Sequence, residues 1–192
     1  LDNRQISTFV DLSAIAPGVN IAKNEGFKTV ITIRGVGYET NQNAIATPSV
    51  SYHLDGIYVA SPYSLQTDFL DLERIEVLRG PQGTLFGQNS TGGAINVITR
   101  APTTDETYGS ADLTMGNYGL LKTRAVINKP LSENLAMRAS FISNSRDGFT
   151  ENLTNGQDLD DADSVSARVR LSYEPSDIFR ANFMAQVFDE DR

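Results

Sequence analysis

Residues 73–99 read ERIEVLRGPQGTLFGQNSTGGAINVIT, and this stretch decides how the first half of the chain folds. Apolar and β-branched runs predict strands at residues 76–79 and 94–99. The glycines at 80, 83, 92 and 93 can adopt backbone angles that other residues avoid, which predicts tight turns between those strands. At the start of the stretch, residues 70–75 are predicted as a short helix that begins three residues before it. The stretch therefore indicates short regular elements joined by compact turns.

Upstream of this stretch the sequence is mixed in character and rich in glycine. A short helix is predicted at residues 7–16, ending before Pro17 and Gly18. The β-branched run at 29–33 predicts a strand. Residues 50–59 predict a hairpin whose tight turn contains Asp55 and Gly56. Together these patterns predict an α+β domain over residues 1–100.

The second half of the chain alternates apolar and polar residues with a period of two. Five strands are predicted, at residues 108–115, 121–128, 135–143, 165–173 and 179–187. Because side chains alternate across a strand, each strand has one apolar and one polar face. The apolar faces carry Leu121, Phe141, Val169, Leu171 and Phe183. The polar faces carry five arginines: Arg124, Arg138, Arg168, Arg170 and Arg180.

Two architectures fit this alternation. One is an antiparallel sandwich with its apolar faces in a core and its polar faces in water. The other is a membrane barrel, and the strand length of about ten residues suits a tilted strand crossing a bilayer. Short connections at 130–133 and 174–177 against a long polar one at 146–163 also favour a barrel, although the short connection at 116–118 departs from that pattern. The prediction is antiparallel strands of an incomplete transmembrane β-barrel over residues 101–192.

Composition and charge narrow the classes of function. The 192 residues include no cysteine and one histidine, and the net charge is −8 with no cluster of Lys and Arg. A nucleic-acid partner is therefore not expected, because binding phosphates requires a basic surface. The absence of cysteine excludes thiolate metal sites and cysteine nucleophiles. No run approaches the roughly 20 apolar residues of a membrane helix.

The isolated hints of catalysis or cofactor binding are weak. Ser51, His53 and Asp55 alternate along one strand, and the hydroxyl is not expected to point at the imidazole as catalysis requires. The glycines from 80 to 87 lack the Gly-Lys-Ser/Thr ending of a phosphate-binding loop. The aspartates at 158, 160, 161 and 163 do not have the spacing of a calcium-binding loop. Neither an enzyme activity nor a cofactor or metal is expected.

Six segments together resemble the plug domain of TonB-dependent outer-membrane receptors. Three come from the opening stretch: ERIEVLRGP at 73–81, GTLFG at 83–87 and GGAINVIT at 92–99. Three lie upstream in the same order and spacing: APGV at 16–19, ITIRG at 31–35 and YHLDGIY at 52–58. The resemblance covers about residues 6–100, and the strands after it match by pattern only.

The resemblance implies a plug inside a barrel of about 22 strands. It implies an extracellular small-molecule ligand such as an iron-siderophore, an inner-membrane energy-transducing complex (TonB), and outer-membrane lipid as partners. Arg34 and Arg79 match plug arginines that pair with acidic residues of the barrel wall, and Glu73 and Glu76 are placed at the same interface. The candidates for the ligand-facing apex are Tyr38, Tyr63, Gln88 and Asn89. The five arginines of the polar strand faces are expected to face the lumen.

The family pattern also predicts segments beyond those present. The energy-coupling segment and the first plug strand are expected upstream of Leu1, and most of the barrel is expected downstream. The other class of function that fits is a surface-exposed, β-rich binding or adhesion protein without transport activity. An energy-coupling segment upstream would distinguish the receptor from that alternative. The identity of the ligand does not follow from these residues.

Overall fold

The computed structural model describes residues 10–24, 28–37, 48–60, 69–151 and 158–191. The chain divides into two compact units, Leu1–Arg100 and Ala101–Arg192. Among the described residues no helix has the length and hydropathy needed to span a bilayer.

The described residues of the first unit form two small sheets. A short 3-10 helix, Val10–Ala14, precedes an antiparallel sheet of β1 (Val19–Asn24), β2 (Lys28–Ile33) and β3 (Val36–Gly37). The second sheet has the order β5-β4-β7-β6 and is formed by β4 (Val50–Leu54), β5 (Ile57–Tyr58), β6 (Leu72–Arg79) and β7 (Gly93–Thr99). Strand β7 is parallel to β4 and antiparallel to β6. A four-residue helix, α1 (Gly83–Phe86), connects β6 to β7.

A hydrophobic core holds the first unit together. Ile33 and Ile95 are fully buried, and Leu12 of the 3-10 helix packs with them. Burying an isoleucine or leucine side chain completely stabilises a fold by about 1.5–3 kcal/mol. The core takes one face of β4, β6 and β7, so the opposite face of that sheet carries polar residues.

In the first unit, sequence reasoning misplaced one element and missed three. The helix predicted at 70–75 is wrong, because β6 begins at Leu72 and pairs along β7, with Ile75 and Val77 packed against the core. Tertiary pairing outweighs local propensity in such a short segment. Of the helix predicted at 7–16, Val10–Ala14 forms a 3-10 helix, and residues 7–9 lie outside the described ranges. Strands β1 and β3 and helix α1 were not predicted.

The second unit is the antiparallel meander that the alternation predicts. Strands β8 (Tyr108–Met115), β9 (Leu121–Ser132), β10 (Leu135–Arg146), β13 (Ala162–Ser176) and β14 (Phe179–Asp191) pair in consecutive order. The long connection after β10 contains a two-residue hairpin of β11 (Thr150–Glu151) and β12 (Asp158–Leu159). Four strands are longer than predicted, and β9 and β13 extend through most of the residues assigned to the short turns.

Gly93 offers a direct test of how closely β7 packs against its neighbour β6. Its φ is 149°, and an added Cβ would lie 2.4 Å from the Leu78 carbonyl oxygen. We expect Gly93→Ala to destabilise the chain by about 2–3 kcal/mol, because the backbone itself must move. Gly83→Ala is the matched control, since an added Cβ there has nothing within 4 Å. Equal urea midpoints for both variants would contradict the packing described.

Candidate functional site

The five-stranded sheet of the second unit has two chemically distinct faces. Across β10 and β13, Arg138 lies opposite Arg170 and Ser140 lies opposite Arg168. Val169 lies opposite Ala139 on the other face, and Leu171 lies opposite Phe183 of β14. The register to β9 and β14 extends both sets across the sheet. The predicted separation of apolar residues from Arg124, Arg138, Arg168 and Arg170 is therefore confirmed.

Burial of these two faces is the reverse of that in a water-soluble sheet. On the polar face Arg138 and Arg168 are each only 5% exposed. On the apolar face Phe141 is 38% exposed, Val169 39% and Phe183 60%. A soluble sandwich covers its apolar faces, whereas a sheet in a bilayer exposes them to lipid and keeps its polar face inward. The exposure pattern favours the membrane barrel over the sandwich.

The arginines of the polar face have different surroundings. Arg168 Nε donates a hydrogen bond of 3.0 Å to Gln186 Oε1 on the neighbouring strand. Arg180 is exposed and forms a 2.8 Å ion pair with Glu174, which contributes little in water. Arg124 lies opposite Asp112 in the register of β8 and β9. The polar face thus carries arginines on β9, β10, β13 and β14, and their role in the lumen stays a prediction.

In the first unit, the turn between β4 and β5 is tied to the end of β7. Asp55 and Gly56 both have positive φ, 50° and 81°, as the predicted two-residue hairpin turn requires. The Asp55 carboxylate accepts hydrogen bonds from the Thr99 backbone N–H at 2.8 Å and the Thr99 hydroxyl at 2.6 Å. Asn96 Oδ1 accepts a bond from Gly56 N–H at 3.1 Å. The hairpin turn is therefore tied to β7 through the side chains of Asp55 and Asn96.

The same polar network reaches the acidic residues that were assigned to the interface. Glu76 accepts a hydrogen bond from Asn96 Nδ2 at 3.0 Å and one from Arg74 Nε at 2.8 Å. Arg74 also pairs with Glu73. The hydrogen bond from Arg74 lowers the pKa of Glu76 below its ordinary value. Both carboxylates are thus bonded to Arg74 within their own unit, and their role at a plug–barrel interface stays a prediction.

We expect Asp55→Ala to destabilise the chain by about 1.5–3 kcal/mol, because hydrogen bonds to a charged group have that magnitude. Alanine also tolerates the positive φ poorly. Asp55→Asn is the matched control, since it accepts that conformation and keeps one acceptor oxygen. The unfolding midpoint in urea measures both. A smaller loss of stability in Asp55→Ala than in Asp55→Asn would contradict the role of the Asp55 carboxylate in holding Thr99.

His53 lies buried on the polar face of the same sheet. Its Nε2 atom is 3.1 Å from Ser51 Oγ, so the expectation that this hydroxyl and imidazole are not aligned was wrong. Asp55 bonds Thr99 instead, and the His53 Nδ1 atom has no hydrogen-bond partner among the described residues. The Phe86 ring contacts the imidazole edge-on, with centroids 4.8 Å apart. His53 is therefore a packed structural residue, and no third member of a catalytic triad lies beside it among the residues that the structure describes.

The burial of His53 predicts a pH dependence of stability. Burial lowers the pKa of the imidazole below its ordinary value of about 6.5. The folded chain therefore binds this proton less readily than the unfolded chain, and the stability present above that value is lost as the pH falls below it. We expect the unfolding temperature of the wild type to fall more than that of His53→Gln between about pH 8 and pH 5. An equal fall of the unfolding temperature in the wild type and in His53→Gln over this pH range would contradict this.

The remaining predicted site residues are placed individually. Arg34 and Arg79 are both exposed, and Arg34 has a positive φ of 53° beside Gly35. Gln88 is exposed, while Asn89 donates a 2.8 Å hydrogen bond from Nδ2 to the Tyr58 hydroxyl. Tyr38 and Tyr63 lie outside the described residues. Interface and apex roles for these residues stay predictions.

Within the described ranges no group of three or more His, Cys, Asp or Glu is arranged to hold a metal ion. In the acidic loop, Asp160 accepts a 2.5 Å hydrogen bond from the Thr150 hydroxyl.

Comparison with known proteins places these features in context. Residues 1–94 match the family described as TonB-dependent Receptor Plug Domain. The pesticin receptor of Yersinia pestis is 38% identical over 94 residues, covering 47% of this chain and 13% of that protein. The ferric enterobactin receptor PirA of Pseudomonas aeruginosa is 30% identical over 178 residues, covering 82% of this chain and 24% of that protein.

The similarity extends through the second unit in three dimensions. The crystal structure of the ferric yersiniabactin uptake receptor FyuA from Yersinia pestis matches 98% of this chain and 30% of its own, with a TM-score of 0.86 and 25% identity. This chain spans a quarter or less of the curated relatives named above.

Proposed function

We propose that this chain, as a member of the TonB-dependent receptors of the bacterial outer membrane, forms the plug and the first five barrel strands of a ligand-gated uptake receptor. The single observation that supports this most strongly is the five-stranded sheet with its apolar face exposed and its arginine-bearing face buried. Residues 1–94, which match the plug-domain family, precede that sheet in the chain.

We infer that the ligand is an iron-siderophore complex. Two of the relatives are named as receptors for ferric enterobactin and ferric yersiniabactin. The polar face of the strands supplies guanidinium groups, which bind the carboxylate or phenolate oxygens common in such ligands. We place ligand contacts at the plug apex, with Tyr38, Tyr63, Gln88 and Asn89 as candidates.

In the proposed mechanism the inner-membrane TonB complex pulls on the plug after the ligand binds outside. The plug has to be held firmly enough to seal the pore and loosely enough to move. Residues 1–98 carry nine Asp and Glu against six Lys and Arg, so their net charge is negative. The arginines at 124, 138, 168, 170 and 180 provide the opposite charge on the polar face, and we propose that they help to retain the plug.

A surface adhesin explains these observations less well. An adhesin requires no plug domain, whereas residues 1–94 match one. The members of this family are receptors and transporters, and we expect no enzymatic step in the uptake.

Energy-dependent uptake tests the proposed function. Cells producing the complete receptor that contains this chain are given a panel of siderophores loaded with radioactive iron. We expect one ferric siderophore to accumulate inside the cells, and only when the TonB complex is present. Binding at the cell surface with no accumulation in either background would favour the adhesion alternative.

A further inference from the structure

Asn128 of β9 binds the segment that joins the two units. Its side chain is completely buried. Oδ1 accepts a hydrogen bond from Thr103 N–H at 3.0 Å, and Nδ2 donates to the Thr103 and Glu106 carbonyl oxygens at 2.9 and 2.7 Å. One acceptor and both donors of the amide are therefore used on backbone groups of residues 103–106. These bonds lie entirely within the second unit.

The first unit holds the preceding residues in a comparable way. Asp55 binds both the N–H and the hydroxyl of Thr99. The Arg100 N–H donates to the Asp71 carbonyl oxygen at 3.0 Å. Only Ala101 and Pro102 separate these contacts from Thr103, and proline has a fixed φ and no N–H to donate. The connection between the units is therefore clamped on both sides of a two-residue segment.

We propose that Asn128 is the anchor that fixes the plug's C-terminal connection to the barrel wall, so that displacement of the plug stops at Thr103. This inference rests on the proposed function, in which the plug moves under force. With the anchor in place, a force that pulls on the plug acts on the hydrogen bonds between Asp55 and Thr99 before it acts on the strands of the barrel. The anchor thus limits how far the plug is extracted and guides its return.

An asparagine is the residue type that this position requires. The backbone offers one N–H and two carbonyl oxygens, and the asparagine amide supplies one acceptor and two donor hydrogens. Aspartate has nearly the same shape but would place an unprotonated oxygen against the carbonyls of Thr103 and Glu106. The Asn128→Asp variant therefore tests the hydrogen bonds separately from the volume of the side chain.

The test is hydrogen–deuterium exchange of the complete receptor in outer-membrane vesicles. We expect the amide of Thr103 to exchange about tenfold faster in Asn128→Ala, because a lost hydrogen bond of about 1.4 kcal/mol corresponds to that factor. In Asn128→Asp a carboxylate oxygen can still accept from this N–H, so we expect a smaller increase there, caused by repulsion from the Thr103 and Glu106 carbonyl oxygens. Asn182→Ala is the matched control, since Asn182 is an exposed asparagine on β14. Heat-modifiable mobility on gels verifies that each barrel is folded.

Leakage of a large antibiotic into the same cells completes the test. We expect it to rise in the Asn128 variants and to remain at the wild-type level in Asn182→Ala. Unchanged exchange at Thr103 would overturn the anchor itself. Faster exchange with wild-type leakage would overturn its role in holding the plug. The exchange measurement needs no transported ligand, so it remains decisive even if the receptor proves to take up nothing.

Discussion

Replacing Val169 by arginine is expected to destabilise the folded receptor in lipid by about 2–4 kcal/mol, the cost of an arginine facing lipid near the bilayer midplane. Val169 lies at the centre of β13 on the apolar face and is 39% exposed. A side chain exposed to water would tolerate the change within about 0.5 kcal/mol. Urea unfolding in lipid vesicles measures the difference.

Asn182→Arg provides the control for this substitution. Asn182 lies opposite Ser172 on the polar face of the same sheet and is exposed. We expect arginine there to change the free energy of unfolding by less than about 1 kcal/mol, since the lumen of such a barrel is wet. Equal effects at both positions would mean that the two faces do not differ in their surroundings.

Arg34→Ala and Arg79→Ala are expected to loosen the plug and impair uptake while leaving ligand affinity nearly unchanged. In the proposed receptor each arginine pairs with a carboxylate of the barrel wall. Removing one member of such a pair costs roughly 3–5 kcal/mol if the pair is buried and less than about 1 kcal/mol if it is wet. Uptake of radioactive iron, binding affinity and antibiotic leakage are measured for each variant.

Arg74→Ala is the matched control among the plug arginines, because its partners Glu73 and Glu76 belong to the same unit. We expect its uptake and leakage to stay close to those of the wild type. Wild-type uptake and leakage in Arg34→Ala and Arg79→Ala as well would show that these two arginines only solvate the plug surface.

The strands of the second unit were predictable from sequence because one simple rule governs them. Strict alternation over about ten residues indicates both that a strand forms and which residues lie on each of its faces. A slip of one residue would move every side chain to the opposite face. The observed register places Leu171 opposite Phe183 and Arg138 opposite Arg170, as the pattern requires. The extra hairpin of β11 and β12 was not predictable, since two-residue strands carry no periodicity.

The first unit was less predictable because its elements are short and held by tertiary contacts. Residues 70–75 were predicted as a helix, and the pairing of β6 with β7 overrides that local preference. Asp55 and Gly56 were identified as a turn, but nothing local indicates that the carboxylate binds Thr99, 44 positions away. Asn128 lies on the polar face that the alternation predicts, but nothing local indicates its partners 22 and 25 residues upstream. Long-range hydrogen bonds leave no signal in local sequence.

The most direct test of the central claim is which face of the strand sheet meets lipid. The chain has no cysteine, so single cysteines introduced along Leu135–Arg146 are the only thiols to which spin labels attach. In lipid vesicles we predict that collisions with oxygen peak at Leu135, Met137, Ala139 and Phe141. Collisions with oxygen should be lowest at the residues between them, Ala136, Arg138 and Ser140, which are buried. The opposite phase, or no period of two, would contradict a barrel wall with its arginines facing inward.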